Sequence, residues 1–173
     1  MAKADSVTHT FEPIFNNESK VLILGTFPSV KSREQQFYYG HPQNRFWRVL
    51  SAVYEKPVPQ TVEDKKAFLL ENGVAVWDVI ASCDIQGSAD SSIRNAQPTD
   101  LGEILAMGKI RQIYVNGRKA EQLYRKYQEK QTGLKAVCLP STSPANAAWS
   151  VDRLVEAWKG IRAVSYTHLT LPT

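Results

Sequence analysis

The segment YYGHPQNRFW, residues 38–47, concentrates side chains that could bind or transform a ligand. Aromatic rings lie there beside a histidine, an asparagine and an arginine, so stacking surfaces and hydrogen-bonding groups occur together. Gly40 and Pro42 exclude regular helix or strand from the first half of the segment. These features are typical of a functional loop. The alternative is an irregular connection whose aromatic rings fill the core.

Asn44 stands where a helix is predicted to begin. Apolar residues follow it at the spacing of one helix face: Phe46, Val49, Leu50 and Val53. An asparagine at a helix start either caps backbone N–H groups that have no partner or faces a ligand. The residues by themselves favour the cap.

Two polar loops follow apolar runs that are typical of buried strands. Val21–Leu24 ends at GTFPS, residues 25–29, and Ala136–Leu139 ends at PSTSPAN, residues 140–146. Ligands of parallel sheets bind beyond the carboxyl ends of the strands, so GTFPS is a candidate ligand-facing loop. The hydroxyl and N–H groups of residues 141–143 suit a phosphate or the polar edge of a base.

The elements around these loops alternate between strands and helices. Further strands are predicted at Val74–Ile80 and Ile110–Val115, with helices at 61–71, after Asp100, after Gly117 and at 151–161. Residues 1–20 are predicted to be an irregular lead-in, and residues 81–98 a long polar loop with a functional role. The alternation indicates an α/β fold around a mostly parallel, roughly four-stranded sheet.

The composition indicates one domain. The chain has 173 residues, of which 43% are hydrophobic, and a net charge of +4, which permits a polyanionic partner without requiring one. We assign residues 1–164 to the domain and expect residues 165–173 to be a non-native or disordered tail. Cys83 and Cys138 cannot by themselves hold an iron–sulfur cluster or a Cys-rich zinc site. No apolar signal segment or 18-residue apolar run occurs, so we expect a soluble, cytoplasmic protein.

The pattern GTFPS, YYGHPQNRFW and STSPAN resembles the uracil-DNA glycosylase superfamily, and most closely its hypoxanthine-DNA glycosylase branch, the DNA-deoxyinosine glycosylases. HPQNRFW is also similar to the mismatch-specific uracil-DNA glycosylases. The resemblance covers about residues 10–164. It implies a three-layer α/β/α sandwich and hydrolysis of the N-glycosidic bond of a flipped, damaged base in DNA. It also implies a monomer that needs no metal or cofactor and has no membrane partner.

The resemblance assigns catalysis to Asn44. Most of the superfamily carries Asp or Asn at the third position of the first motif, where it positions the attacking water, whereas this chain has Phe27. In the hypoxanthine branch that duty passes to the asparagine that matches Asn44. A carboxamide has no useful pKa, so it would orient water through its oxygen and would not be a true general base.

The resemblance also implies a set of substrate-binding residues. Tyr39 is the expected stacking platform for the base and Phe27 a second wall. The remaining candidates come from the first motif, GTFPS, from YYGHPQNRFW, and from the second motif, STSPAN. They are Gly25, Thr26, Pro28, His41, Ser141, Thr142, Ser143 and Asn146.

Several roles stay open at the level of sequence. His41 would either donate to the base or a phosphate, or be held structurally by backbone bonds. The histidine that the superfamily often carries in its second motif is absent, so the donor to the departing base is unassigned. Asp78 and Asp90 either serve the site or act as turn and capping residues, and Arg45 either anchors the loop or approaches a DNA phosphate.

Three other functions compete with excision of hypoxanthine. A glycosylase for uracil or mispaired thymine differs only in substrate. An inactive nucleic-acid-binding relative predicts salt-sensitive DNA affinity without an abasic product. A small-molecule nucleotide binder is disfavoured because the chain has no Walker or GxGxxG glycine pattern.

Overall fold

A computed structural model describes residues 4–166 and shows strands that alternate with helices. The strands are β1 (Asp5–Thr8), β2 (Val21–Gly25), β3 (Val74–Asp78), β4 (Ile80–Ile85), β5 (Arg94–Pro98), β6 (Gln112–Asn116) and β7 (Ala136–Leu139). The helices are α1 (Val30–Gln35), α2 (Phe46–Val53), α3 (Val62–Glu71), α4 (Gly102–Ala106), α5 (Arg118–Tyr127), α6 (Glu129–Thr132), α7 (Val151–Trp158) and α8 (Gly160–Ser165). A 3₁₀ helix covers Asp90–Ser92.

Four strands form a parallel sheet in the order β3-β2-β6-β7. Gly25, the last residue of β2, pairs with Asp78, the last residue of β3. Asn116 ends β6 and pairs with Leu139 at the end of β7. The loops after all four strands therefore leave from one edge of the sheet, which is where parallel sheets bind their ligands.

The sheet separates two hydrophobic cores. Along β2, Val21 and Ile23 belong to a core with residues of α2, α3, α7 and α8, whereas Leu22 and Leu24 belong to a core with residues of α4, α5 and β4. Successive side chains of a strand point to opposite faces of the sheet, and here both faces are covered. All four of these β2 residues are therefore fully buried. Burial on both faces explains the unbroken apolar run, and the α/β/α architecture is confirmed.

The prediction of a long polar loop at 81–98 was wrong. These residues form the hairpin of β4 and β5, and β1 joins it as a three-stranded antiparallel sheet in the order β1-β4-β5. Register shifts between β4 and β5 break the alternation that would have marked the strands in the sequence. The predicted strand at 74–80 is likewise two strands that meet at Val79.

The two ends of the domain also differ from the predictions. The lead-in contains β1, while Ile14 bridges to Val76 and packs into the core as a buried residue. The last helix extends through Ser165, whose hydroxyl is buried and hydrogen-bonds the Tyr54 hydroxyl at 2.8 Å. Ser165 therefore continues the helix, contrary to the predicted boundary. Residues 167–173 of the predicted tail lie outside the described residues.

Candidate active site

A cavity of about 600 Å³ opens at the carboxyl edge of the parallel sheet. Its walls come from the GTFPS loop, the segment 38–44, the ends of β3 and β6, the tip of the β4–β5 hairpin, and residues 141–145. Ten of the eleven predicted site residues line it: Gly25, Thr26, Phe27, Pro28, Tyr39, His41, Asn44, Ser141, Thr142 and Ser143. The fold thus brings together loops that are more than 100 residues apart in the chain.

Gly25 allows the side chains of Asp78 and Tyr39 to lie against its backbone at the cavity. A β-carbon at this position would lie 2.5 Å from Oδ1 of Asp78 and 2.9 Å from the hydroxyl oxygen of Tyr39. Both distances are shorter than van der Waals contact allows, so a larger residue would displace one of these groups. The glycine of GTFPS is therefore required by packing.

Tyr39 lies on an aromatic support. Its ring stacks on Phe46 with centroids 3.8 Å apart and an interplanar angle of 12°. Its hydroxyl accepts a hydrogen bond from Nδ2 of Asn116 at 3.3 Å. Burial raises the pKa of Tyr39 far above its ordinary value, and the nearby Asp78 carboxylate adds to the effect, so the phenol stays neutral.

Asn116 connects Tyr39 to the second motif. Its Nδ2 donates to the Thr142 hydroxyl at 3.0 Å, and its Oδ1 accepts from the Thr142 backbone N–H at 3.0 Å. Thr142 is completely buried and forms part of the cavity wall, where its hydroxyl accepts the bond from Asn116. Sequence reasoning missed Asn116, although a polar residue at the end of an apolar strand was an available signal.

Asn44 lines the cavity and also supports the start of α2. Its Oδ1 accepts a hydrogen bond from the backbone N–H of Phe46 at 2.9 Å. The position at the cavity and the bond at the helix start are therefore compatible in one side chain. An amide oxygen has two lone pairs, so the capping bond leaves one acceptor site. The bond also fixes the orientation of the carboxamide.

Arg45 ties the two motifs together. Its guanidinium donates to the backbone carbonyls of Ser143 at 2.8 Å and Asn146 at 3.0 Å, and also to that of Trp149. Its Nε and its backbone N–H both donate to the Thr142 carbonyl. Every hydrogen bond of the Arg45 side chain to the described residues therefore goes to a backbone carbonyl of residues 142–149. Arg45 is an anchor of that loop, which resolves the alternatives left by the sequence.

Hydroxyl and imidazole donors complete the wall. The Ser141 hydroxyl oxygen accepts from the Ser143 N–H and the Ser143 hydroxyl oxygen from the Ala145 N–H, both at 3.1 Å, so each hydroxyl proton stays available to a ligand. Nδ1 of His41 accepts from the Gln43 N–H at 3.1 Å. The imidazole is thereby assigned the tautomer with its proton on Nε2, which has no hydrogen bond within residues 4–166.

Asn146 is the predicted site residue that lies outside the cavity. Its Nδ2 donates to the Ser141 carbonyl at 3.0 Å, and it lines an adjoining cavity of about 690 Å³ instead. The adjoining cavity includes the start of α5, with Arg118 and Lys119, and shares Asp90 and Asn116 with the first. Asn146 thus supports the loop through Ser141, and its role in substrate binding stays a prediction.

Asp78 forms a buried hydrogen-bonded pair with His9. Nε2 of His9 lies 2.8 Å from its Oδ2, and both side chains are about 5% exposed or less. The His9 ring packs against Phe11 with centroids 4.4 Å apart. Its Nδ1 is buried and has no hydrogen-bond partner within the described chain. The sequence carried no signal for His9, because the pairing depends on β1 joining the hairpin.

Asp90 occupies the tip of the β4–β5 hairpin and faces both cavities. Burial raises the pKa of this carboxyl to about 6, and repulsion from Asp78 acts in the same direction. A hydrogen bond from Thr26 and the positive charge of Lys119 oppose the rise. Asp90 is therefore the cavity carboxyl whose protonation changes near neutral pH.

Residues 4–166 contain neither a metal-binding cluster nor a membrane-spanning helix. No group of three or more His, Cys, Asp or Glu side chains there could hold a metal ion. No helix in that range is long and apolar enough to cross a membrane.

An α/β/α fold with a cavity at the carboxyl edge of a parallel sheet, walled by aromatic rings and hydrogen-bond donors, defines a ligand-binding or catalytic domain. Comparison with known proteins gives the family. The Uracil DNA glycosylase superfamily profile matches residues 12–162, and the chain belongs to this superfamily.

Curated relatives and a solved structure agree with this membership. The Hypoxanthine DNA glycosylase of Methanosarcina acetivorans is 35% identical over 156 residues, which cover 87% of this chain and 95% of the relative. The Hypoxanthine DNA glycosylase of Methanosarcina barkeri is 26% identical over 140 residues, or 79% of this chain and 86% of the relative. A solution NMR structure from M. acetivorans, described provisionally as a uracil DNA glycosylase, has a TM-score of 0.75 and 33% identity, and the match covers 88% of this chain and 94% of that one.

Proposed function

We propose that this protein is a monofunctional DNA glycosylase that removes hypoxanthine from deoxyinosine in DNA. The observation that carries the proposal is the position of Asn44, whose fixed carboxamide lines an aromatic-walled cavity. Two curated relatives that align with most of the chain are named Hypoxanthine DNA glycosylase, which supports the choice of base. The product would be free hypoxanthine and an abasic site in an intact strand.

The cavity suits a base that has left the helix stack. Its volume of about 600 Å³ falls within the range of roughly 300–1,000 Å³ that is usual for small-molecule pockets. Tyr39, supported by Phe46, offers a ring face for stacking. Phe27, from the GTFPS loop, lines the same cavity. Stacking between aromatic side chains is the usual way to hold a flipped base.

Asn44 is the proposed catalytic residue at the sugar. Cleavage of the glycosidic bond builds positive charge on the deoxyribose and negative charge on the departing base. The second lone pair of the Asn44 oxygen would accept a hydrogen bond from the attacking water and point the water oxygen at C1′. Since the bond to the Phe46 N–H already orients the amide, little reorganisation is needed at the moment of reaction.

The remaining donors are suited to a polyanionic substrate. The hydroxyls of Ser141 and Ser143 and Nε2 of His41 lie on the cavity wall, where flanking phosphates or the base edge would meet them. The net charge of +4 favours association with DNA. We infer that these groups hold the DNA backbone on either side of the flipped nucleotide.

A comparison of substrates tests the proposal. The purified protein is incubated with duplex oligonucleotides that carry one deoxyinosine, one uracil or one G·T mismatch, and alkali-labile breaks are scored. We expect breaks at deoxyinosine at rates well above those at uracil or at the mismatch. Preferential breakage at uracil or the mismatch would replace the substrate, and absence of breaks at all three with salt-sensitive binding retained would identify an inactive binder.

A further inference from the structure

The cavity contains a carboxyl group that the proposed role of Asn44 does not use. Asn44 acts at the sugar, so the negative charge on the departing base needs a separate donor. The second motif, STSPAN, has no histidine for that task. Asp90 stands on the hairpin tip at the junction of the two cavities, together with Asn116, Ser141 and Ser143.

The hairpin tip is fastened to the first motif. The Ser88 hydroxyl oxygen accepts from the backbone N–H of Val30 at 2.9 Å. The Arg33 guanidinium donates to the carbonyls of Gly87 and Pro28. Within the tip, the Ile93 N–H donates to the Asp90 carbonyl at 3.2 Å, so the turn is held through the backbone of Asp90. The carboxyl is thus positioned by the fold, and it lines both cavities with a hydrogen bond from the Thr26 side chain.

The surroundings of Asp90 favour a proton on it. The groups that act on the Asp90 carboxyl are Asp78 of β3, Lys119 of α5 and the side chain of Thr26, whose hydrogen bond lowers the pKa. The other titratable groups that line the two cavities with it are Tyr38, Tyr39, His41, Arg118, Glu121 and Cys138. Burial and the Asp78 carboxylate raise the pKa of Asp90 to about 6, with Lys119 opposing them. DNA phosphates in the cavity would raise the pKa of Asp90 further, because negative charge disfavours the carboxylate.

We propose that Asp90 is a catalytic acid that gives a proton to the purine ring of the departing base. This inference rests on the proposed glycosylase function and adds the group that serves the leaving base. The bond from C1′ to N9 of the purine breaks, and its electron pair stays on the base. The proton of the Asp90 carboxyl passes to a ring nitrogen, so hypoxanthine leaves as a neutral molecule.

The water oriented by Asn44 completes the hydrolysis. Its oxygen forms the new bond to C1′, and one of its two protons is released and returns, through solvent, to the Asp90 carboxylate. The net reaction consumes one water and yields one hypoxanthine and one deoxyribose with a hydroxyl at C1′. No oxidant, reductant or other co-reactant takes part.

The test uses single-turnover excision of deoxyinosine DNA as a function of pH. Wild-type excision is expected to be fastest at low pH and to fall as pH rises through the pKa of Asp90, since the acid form is the reactive one. Asp90→Asn keeps the size and polarity of the side chain but has no proton to give, so we expect a loss of about 100-fold or more and no dependence on pH in that range. Asp90→Glu should restore part of the rate and the pH dependence.

Asp84→Asn is the matched control on the same hairpin. Oδ2 of Asp84 accepts from Nδ2 of Asn95 at 2.7 Å, and Asp84 does not line either cavity. This variant should excise at the wild-type rate with the wild-type pH profile. DNA affinity, measured by fluorescence anisotropy, should be unchanged or tighter in Asp90→Asn because a negative charge is lost.

Two results would overturn the role of Asp90. One is an Asp90→Asn variant with the wild-type rate and profile. The other is wild-type excision that rises with pH through this range and loses the rise in Asp90→Asn, which would make the carboxylate an acceptor. If the wild type releases no hypoxanthine at any pH, the glycosylase function itself fails, and that outcome is distinct from both.

Discussion

Replacement of Asn44 should damage catalysis far more than stability. Its side chain gives one capping bond to the Phe46 N–H, and loss of an N-terminal cap costs about 1 kcal/mol of folding free energy. Loss of a preorganised polar group that acts on the transition state costs about 3 kcal/mol, or about 100-fold or more in rate. Asn44→Ala should therefore remain folded, melt a few degrees lower, and excise hypoxanthine at least about 100-fold more slowly in single-turnover assays.

A matched variant isolates the capping contribution. The hydroxyl of Thr61 accepts from the Asp64 N–H at 3.0 Å and caps α3, and Thr61 does not line either cavity. Thr61→Ala should lower thermal stability by a similar amount and leave excision unchanged. Asn44→Asp keeps the cap and the acceptor oxygen, so we expect near-normal stability with partial activity that depends on pH.

Excision rate and melting temperature are measured on the same preparations of these variants, with DNA affinity determined alongside. The reasoning is refuted if folded Asn44→Ala excises hypoxanthine at the wild-type rate. In that case the amide is only a cap. The catalytic candidates would then be Ser141, Ser143 and His41, which carry the other donors of the wall.

Further predictions concern the packing of Gly25, the bonds of Arg45, the carboxyl of Asp90 and the affinity for DNA. Gly25→Ala should cost about 1–3 kcal/mol and lower excision, since its β-carbon would collide with Asp78 and Tyr39; chemical denaturation measures this, and unchanged stability would contradict it. Arg45→Lys should weaken DNA binding and stability together, because one ammonium cannot reach the several carbonyls that the guanidinium bonds; an unaffected variant in both assays would dismiss the anchor. The raised pKa of Asp90 means that the native state holds its proton more tightly than the unfolded state, so stability falls as pH rises through about 6; Asp90→Asn should remove that fall in thermal melts. DNA affinity of the wild type should drop steeply from low to moderate salt, and flat binding would argue against a DNA substrate.

The parallel sheet could be predicted from sequence because its signal is local. β2 is buried on both faces, so every residue from Val21 to Leu24 had to be apolar. The helix predicted at 61–71 is α3, and the Thr61 hydroxyl caps its start. The β4–β5 hairpin had no such signal, since its strands are short, partly exposed and shifted in register.

The candidate site likewise has residues that the sequence could predict and contacts that it could not. Residues within the two motifs could be predicted because motif and loop coincide, and Asn44, Tyr39 and the serines lie where their motifs indicated. Contacts that join distant segments could not be predicted. The bonds of Arg45 to residues 142–149, the pair of His9 with Asp78 and the approach of Asp90 depend on pairings that only the folded chain reveals.

The central claim is hydrolysis of the glycosidic bond of deoxyinosine at this cavity. Mass spectrometry of a duplex oligonucleotide with one deoxyinosine, after incubation with excess wild-type protein, tests it most directly. We predict free hypoxanthine together with a full-length strand that has lost the base and gained one water in its place. An unchanged deoxyinosine strand, recovered while the protein is folded and bound to it, would contradict the claim.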